Sequence, residues 1–331
     1  WTNKILDFLK NKTVDNKINS NYNWDQLQIY LDTYSKSQKK MVKTYQNSNL
    51  QKILAFWHFA TLVFDSKYRK YYEHKGWNIV NLLKNEFFLF FYKKIRKRFL
   101  DKYSLNNIPS DEKYVYFPLQ FEPERTILIS APYYTNQLEL IKNIARSIPI
   151  DYFLYVKEHP GQSLHSWRKT EYYEEILKIP NVKLIHHSIP SKILVEKSDL
   201  VATVTGTVGL EAAFLQKPSI VFGDSIYSEL SFVYRVKNII MLPEIIRSTL
   251  KKKVDINELQ KFMNLIDNNS FEFDIGKMNL EIDNLFHLDA FLQDVKIDNK
   301  KMSMFLAKNS KIFVTLANEH KKKIHIYKNL K

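Results

Sequence analysis

Leu200-Val201-Ala202-Thr203-Val204-Thr205-Gly206-Thr207-Val208-Gly209-Leu210-Glu211-Ala212 is the stretch on which the reading of the fold turns. It opens with a β-rich run at 200–204, passes through two hydroxyl residues around a glycine, and continues into a helical stretch at 208–215. Working outward, the same alternation recurs. β-rich runs at 114–119, 152–157, 182–186, 219–222 and 238–242 are separated by helical stretches at 136–147, 171–178 and 191–197. Six strands spaced by helix or loop are the signature of a parallel, doubly wound, Rossmann-like α/β sheet.

The punctuation of the chain delimits this segment. All ten prolines lie between Pro109 and Pro243, with four of the six glycines, so turn chemistry is concentrated there. Residues 1–108 hold no proline and a single glycine, and Ile53, Leu54, Trp57, Ala60, Thr61 and Phe64 recur at helical intervals. Residues 244–331 are again proline-free and lysine-rich, with a short strand expected at 311–316. The organisation expected is a basic helical region at 1–108, the sheet at 109–243 and a helical region at 244–331. No internal repeat is present.

The 331 residues carry 50 Lys and Arg against 35 Asp and Glu, a formal charge of +15, and 45% are hydrophobic, which excludes disorder as the dominant state. The absence of cysteine excludes a disulfide scaffold, a thiolate metal site and a cysteine nucleophile. The positive balance points to a polyanion: nucleic acid, an anionic membrane surface, or phosphorylated and acidic substrates. Its distribution narrows that choice. Residues 1–108 have 20 basic and 8 acidic side chains, residues 109–243 have 14 and 15, and residues 244–331 have 16 and 12. The sheet segment is thus near neutral and must bind anions through a few placed groups. No nucleic-acid recognition module is present, and no nucleic-acid partner is expected. In the basic third, Lys93, Lys94, Arg96, Lys97 and Arg98 follow the aromatic run 87–92, which reads as a buried face; the basic cluster reads equally as a dock for anionic lipid or as a solvated face. That run is far short of the roughly 20 apolar residues of a membrane span. The chain opens on Trp1-Thr2 and lacks the layout of a signal peptide. The expectation is a fragment or processed chain of a soluble, cytoplasmic protein, peripheral at most to the inner face of the membrane.

In an open parallel sheet, ligands bind beyond the carboxyl ends of the strands. Three places there carry chemistry. Thr205, Gly206 and Thr207 offer hydroxyl and backbone donors to an anion such as a phosphate, at the entry to a helix, with Glu211 one turn on as an acceptor for ribose hydroxyls. Thr205 or Thr207 as a simple helix cap, and Gly209 as a packing residue, is the structural alternative. His159 precedes a proline, which holds it extended at a strand end so that the imidazole enters the crevice and donates to, or when protonated offsets, a leaving phosphate. Lys157 is a second cation there. The loop 117–126 presents Glu122, Glu124 and Arg125, candidates for a general base or nucleophile and for a bidentate anion contact; a solvated loop with a Glu–Arg pair of little energetic value is the alternative, and the one these residues favour when taken alone. No Asp-x-Asp pair occurs in 109–243, so neither a metal nor a cofactor is expected.

The residues at 114–126, at 155–160 (Tyr-Val-Lys-Glu-His-Pro), at 180–184 (Pro-Asn-Val-Lys-Leu) and at 201–212, with Lys217 to Gly223 and Tyr227, resemble the bacterial capsule polysaccharide biosynthesis family, a group that includes the β-Kdo transferases. The resemblance spans 114–227. It implies a GT-B-type glycosyltransferase whose nucleotide-sugar-binding lobe is the sheet, with 1–108 as an acceptor or membrane side or the remnant of an N-terminal lobe. Carried onto this sequence, it implies that His159 and Thr205, Gly206 and Thr207 hold the donor phosphate, that Glu211 lies near the ribose, and that Glu124 and Arg125 face the reacting sugar. The implied partners are a nucleotide-sugar donor, with CMP-Kdo or another CMP-linked acidic sugar foremost, and a glycan or lipid-linked acceptor. A nucleotide-diphosphate sugar, a polyol-phosphate donor, and a noncatalytic nucleotide-sugar-binding subunit of a capsule assembly complex are the alternatives. Two departures stand out: Glu122 occupies a position where the family pattern has Gln, and 1–108 lack the strand pattern of a second Rossmann-like lobe.

Overall fold

A computed structural model describes residues 57, 79–122, 126–159, 161–162, 168–271, 273, 275–286 and 297–328. Residues 79–268 belong to one compact unit and those from 269 onward to a second. Six parallel strands build the first unit: β1 (Lys113–Pro118), β2 (Tyr152–Lys157), β3 (Val182–Ile185), β4 (Leu200–Thr203), β5 (Ser219–Val221) and β6 (Val233–Arg235). Their order across the sheet is β3-β2-β1-β4-β5-β6. The chain therefore winds outward from β1 to β3, returns to lay β4 against β1, and winds outward the other way, so the order reverses between β1 and β4. That reversal opens the crevice in which doubly wound sheets bind ligands.

The helices of this unit are α1 (Ile79–Tyr103), α2 (Gln137–Ser147), α3 (Thr170–Leu177), α4 (Ser191–Lys197), α5 (Val208–Phe214), α6 (Leu242–Thr249) and α7 (Ile256–Asn269). The two-residue period of the strands sorts side chains between two helical layers. Val115 and Phe117 of β1 and Leu154 and Val156 of β2 pack with Ile141 and Ile144 of α2, Ile176 of α3 and Ile246 of α6. Tyr114, Tyr116 and Tyr155 face the opposite layer, with Leu194 and Val195 of α4 and Ala212 of α5. A buried side chain of this size contributes about 1.5–3 kcal/mol. The tyrosines keep their hydroxyls satisfied. Tyr114 donates to the Leu194 carbonyl at 2.7 Å while its ring stacks on Tyr155 at 4.0 Å.

The first five expected strands and all four expected helices of the sheet segment form within a residue or two of their sequence bounds. The sixth strand does not. Residues 239–241 form a 3-10 turn that leads into α6, because the Asn238 carboxamide accepts the Ile240 N–H at 3.0 Å and Pro243 fits the first turn of the helix. The sixth strand is instead Val233–Arg235, three residues long. In the second unit, α8 (Ile275–Phe286), α9 (Asn299–Lys308) and α10 (Ser310–Lys328) meet through edge-to-face contacts of Phe305 with Phe286 and Phe313, at 5.4 and 6.0 Å. The strand expected at 311–316 lies inside α10, where Thr315 donates to the Lys311 carbonyl at 2.9 Å. No glycine or proline flanks that run to release it from the helix.

Helix α1 departs from expectation in two ways. Phe87, Phe88, Phe91 and Tyr92 are exposed, and among the described residues of this helix it is Phe99 and Leu100, nearer its carboxyl end, that pack on the core. Arg96 lies on that inner face, three and four residues before those two, and is buried with its guanidinium donating to the Gln162 carbonyl at 3.2 Å. It is therefore not part of the exposed basic surface, to which Lys93, Lys94, Lys97 and Arg98 belong. Among the described residues no helix is long and apolar enough to cross a membrane. Of the helical positions expected at 53–64, only Trp57 is described.

Candidate functional site

The segments that leave β1, β2 and β4 converge at the strand-order reversal. Gln120, two residues past β1, donates from Nε2 to Thr203 Oγ1 at the end of β4, at 3.0 Å. The same hydroxyl accepts the Gly206 N–H at 3.2 Å. Gly206 is required by closeness: a Cβ there would lie 2.8 Å from both Gln120 Nε2 and Thr203 Oγ1. The Gly206 carbonyl accepts a hydrogen bond from the Tyr227 hydroxyl. The Tyr227 ring in turn covers Gly209, where a Cβ would lie 2.6 Å from the hydroxyl oxygen. The Thr-Gly-Thr turn is thus clamped from both sides.

Each hydroxyl of that turn has a distinct setting. Thr207 Oγ1 donates to Glu211 at 2.8 Å, across one helical turn. Burial raises the Glu211 carboxyl above its ordinary pKa, more than the Thr207 donation lowers it. Thr205 Oγ1 is buried without a hydrogen-bond partner.

His159 sits at the crevice rim, past the end of β2. Its Nδ1 accepts the Gly161 N–H at 3.1 Å, which assigns the ring proton to Nε2 in the neutral imidazole. Although the residue is exposed, packing around the ring, and then the cations Arg168 and Lys157, hold its pKa below the ordinary value. At neutral pH the ring is an uncharged Nε2–H donor rather than the cation that sequence reasoning allowed. Phe121, from the β1 loop, meets the ring edge-on at 5.7 Å.

A buried ionic network fixes this rim. Arg168 bonds Glu158 through Nη1. Its Nη2 donates to the Gln120 carbonyl at 2.7 Å and pairs with Glu122 at 3.1 Å. Burial disfavours the guanidinium charge, but Glu158 and Glu122, with nearby tyrosines, outweigh it and hold its pKa above the usual value. Glu158 is fully engaged: Oε1 also accepts the His159 backbone N–H at 2.7 Å, and Oε2 accepts the Tyr173 hydroxyl. Glu122 exchanges two backbone hydrogen bonds, both 2.9 Å, with the Gln162 carboxamide, and its side chain accepts from Gln137. The acidic residue that departs from the family pattern therefore has its charge met by Arg168.

Sequence reasoning singled out His159, Thr205, Gly206, Thr207 and Glu211, and all five lie along the carboxyl ends of β2 and β4. Lys157 is buried, its ammonium donating to the Ile189 carbonyl and, at 3.1 Å, to Ser191. Glu124 and Arg125 lie outside the described residues. Gln120, Gln137, Glu158, Gln162 and Arg168 were not singled out. Gln120 and Glu158 stand within the quoted motifs, whereas Arg168 has no local signal because its partners come from the segments that follow β1 and β2. One His/carboxylate grouping among the described residues, Asp101, His186 and His187, is close enough to share a cation, and it follows β3 rather than lining the reversal.

The chain is 29% identical over 127 residues to Protein FixF of Sinorhizobium fredii, an alignment covering 37% of this chain and 29% of FixF. Among solved structures, the β-Kdo 2,7 transferase KpsC of Thermosulfurimonas dismutans matches with a TM-score of 0.34 and 19% identity, over 52% of this chain and 50% of that one. The UDP-GlcNAc 2-epimerase of Methanocaldococcus jannaschii matches with a TM-score of 0.34 and 16% identity, over 52% of this chain and 49% of that one. The chain thus spans about half the length of these structures and less than a third of FixF. Residues 25–233 match the family described as capsule polysaccharide biosynthesis protein, a match that begins well upstream of the motif region 114–227. Covering most of the chain and the whole of the crevice, that match makes the protein a member of the capsule polysaccharide biosynthesis family.

Proposed function

We propose that the chain is a metal-independent, GT-B-type glycosyltransferase of bacterial surface polysaccharide synthesis, moving a sugar from a nucleotide-activated donor to a glycan or lipid-linked acceptor. The observation that carries this reading is the construction of the crevice at the β1/β4 reversal. A neutral imidazole donor stands at the rim, its Nδ1 held by the Gly161 N–H and the His159 backbone N–H held by Glu158, and the Thr205-Gly206-Thr207 turn is clamped against Gln120. Such fixed donors stabilise negative charge that develops on a departing phosphate. His159 and the buried Thr205 hydroxyl are the groups assigned to that phosphate, and Glu211 to the ribose. Glu124 is assigned as general base or nucleophile and Arg125 as the contact for the reacting sugar, on the strength of the Pro-Glu-Arg motif. The motif resemblance to β-Kdo transferases supports a CMP-linked acidic sugar as donor.

Exposed Lys93, Lys94 and Arg98, beside exposed Phe87, Phe88 and Phe91 on α1, support peripheral contact with the anionic inner face of the membrane, near a lipid-linked acceptor. Product formation with a panel of nucleotide sugars, by wild type and His159→Ala, tests the enzymatic reading. Turnover is expected with one donor class and is expected to fall sharply in the variant. Donor binding without turnover identifies a noncatalytic subunit, and unchanged turnover in a folded His159→Ala protein refutes the assignment of His159.

A further inference from the structure

Beyond the edge strand, a second cluster is built on a fixed frame. Asp101 lies in the last turn of α1, and His186 and His187 follow β3 directly. The two segments are pinned together: the Leu105 N–H donates to the Leu184 carbonyl at 2.8 Å, and the His186 N–H to the Leu105 carbonyl at 3.0 Å. On that frame His186 Nε2 stands 3.1 Å from Asp101 Oδ1. The rings of His186 and His187 have centroids 4.1 Å apart. One ligand atom from each of the three residues lies within 4.8 Å of the others.

The local hydrogen bonds divide the donor atoms in a particular way. Lys97 takes Asp101 Oδ2 at 2.8 Å, leaving Oδ1 turned toward the imidazole. Ser188 Oγ lies 2.6 Å from His186 Nδ1. Nδ1 also accepts the Ser188 N–H at 3.3 Å, so in the metal-free ring the proton sits on Nε2 and faces Oδ1. A bound metal takes the Nε2 lone pair and shifts the proton to Nδ1, where the Ser188 hydroxyl accepts it, as an outer partner does for a ligating histidine. Two ligand atoms bound to one metal at about 2.0–2.2 Å lie roughly 3–3.5 Å apart, and the Nε2 to Oδ1 separation of 3.1 Å falls in that interval. Two imidazoles and a carboxylate suit zinc, nickel or copper better than magnesium or calcium.

We propose that Asp101, His186 and His187 bind a divalent transition-metal ion of the zinc class, which clips the end of α1 to the edge strand β3. The exposed His187 ring closes the remaining distance by rotation. Lys97, an exposed ammonium on Oδ2, is the opposing charge.

The test is zinc titration of the whole chain, first stripped with a chelator, against a competing chromophoric chelator. One saturable site is expected in wild type and in His320→Ala, a control for surface histidines. His187→Ala and Asp101→Asn, both at exposed positions, are expected to lose it. Ser188→Ala is expected to weaken it by roughly tenfold or more, while Lys97→Met tightens it by removing the competing cation. Zinc should also slow hydrogen exchange at the Leu105 and His186 amides. An absence of saturable binding, or equal zinc affinity in wild type, His187→Ala and Asp101→Asn, overturns the proposal.

Discussion

Replacing Arg168 by Met removes a guanidinium that joins the β1 loop to the end of β2. The side chain of Arg168 is 1% exposed, and those of its partners Glu158 and Glu122 are 8% and 17% exposed. Methionine fills similar volume, so the loss is chiefly electrostatic. Glu158 keeps the His159 N–H and the Tyr173 hydroxyl but loses its countercharge. Breaking a buried pair by removing one partner costs about 3–5 kcal/mol, against about 0–1 kcal/mol for an exposed pair. The variant should therefore lose about 3 kcal/mol or more at neutral pH. Its pH dependence carries a second signature. An uncompensated buried carboxylate has a folded-state pKa above its unfolded value, so its folded state is favoured at low pH and disfavoured as pH rises through that interval. The deficit should accordingly shrink toward acid. Adding Glu158→Gln should recover part of the loss, with a coupling of roughly 0.5–3 kcal/mol. Urea titration followed by hydrogen exchange at β2 amides reads the sheet unit specifically. A loss below about 1 kcal/mol, independent of pH, would refute the role of Arg168 as the electrostatic centre of the rim.

Other outcomes follow from the same geometry. Gly209→Ala places a methyl 2.6 Å from the Tyr227 hydroxyl, which is itself bonded to the Gly206 carbonyl. Overpacking of about 1–3 kcal/mol should outweigh the roughly 1 kcal/mol that Ala gains over Gly in a helix, so the melting temperature should fall, and a rise would contradict the clamp. The His159 ring should titrate in NMR with a midpoint below 6.5, and Arg168→Met should move that midpoint upward by removing a neighbouring cation. Because the folded-state pKa is depressed, this histidine disfavours the folded state as pH falls from 6.5 through the lower value. Vesicles containing anionic lipid should float the wild-type protein at low salt and release it as salt rises, and Lys93→Glu with Lys94→Glu should abolish flotation. Equal flotation on neutral vesicles would point to the aromatic residues instead.

The sheet was legible because its strands are β-branched or aromatic runs bounded by proline and glycine, and its helices fill the intervals between them. Val233–Arg235 was too short to register as a run, and 238–242 looked like one until Asn238 capped the turn. The strand expected at 311–316 failed for the opposite reason, since local β-branching could not interrupt a long helical context. At the site, His159 and the Thr-Gly-Thr turn were readable as chemistry at strand ends. The network holding them was not. Arg168 meets a carbonyl 48 residues upstream and a carboxylate 10 residues upstream, a juxtaposition that only the crossovers of a parallel sheet create. Arg96 was misassigned to the surface because a basic run in sequence conceals which of its members turns inward on a helix.

Isothermal titration of the whole chain with CMP, CDP, UDP and GDP, for wild type and His159→Ala, tests the central claim most directly. One nucleotide should bind at a single site. A hydrogen bond to a charged group contributes about 1.5–3 kcal/mol, so His159→Ala should weaken that nucleotide roughly tenfold to a hundredfold. If none of the four binds, or if the variant binds as tightly as wild type, the crevice between β1 and β4 is not the donor site.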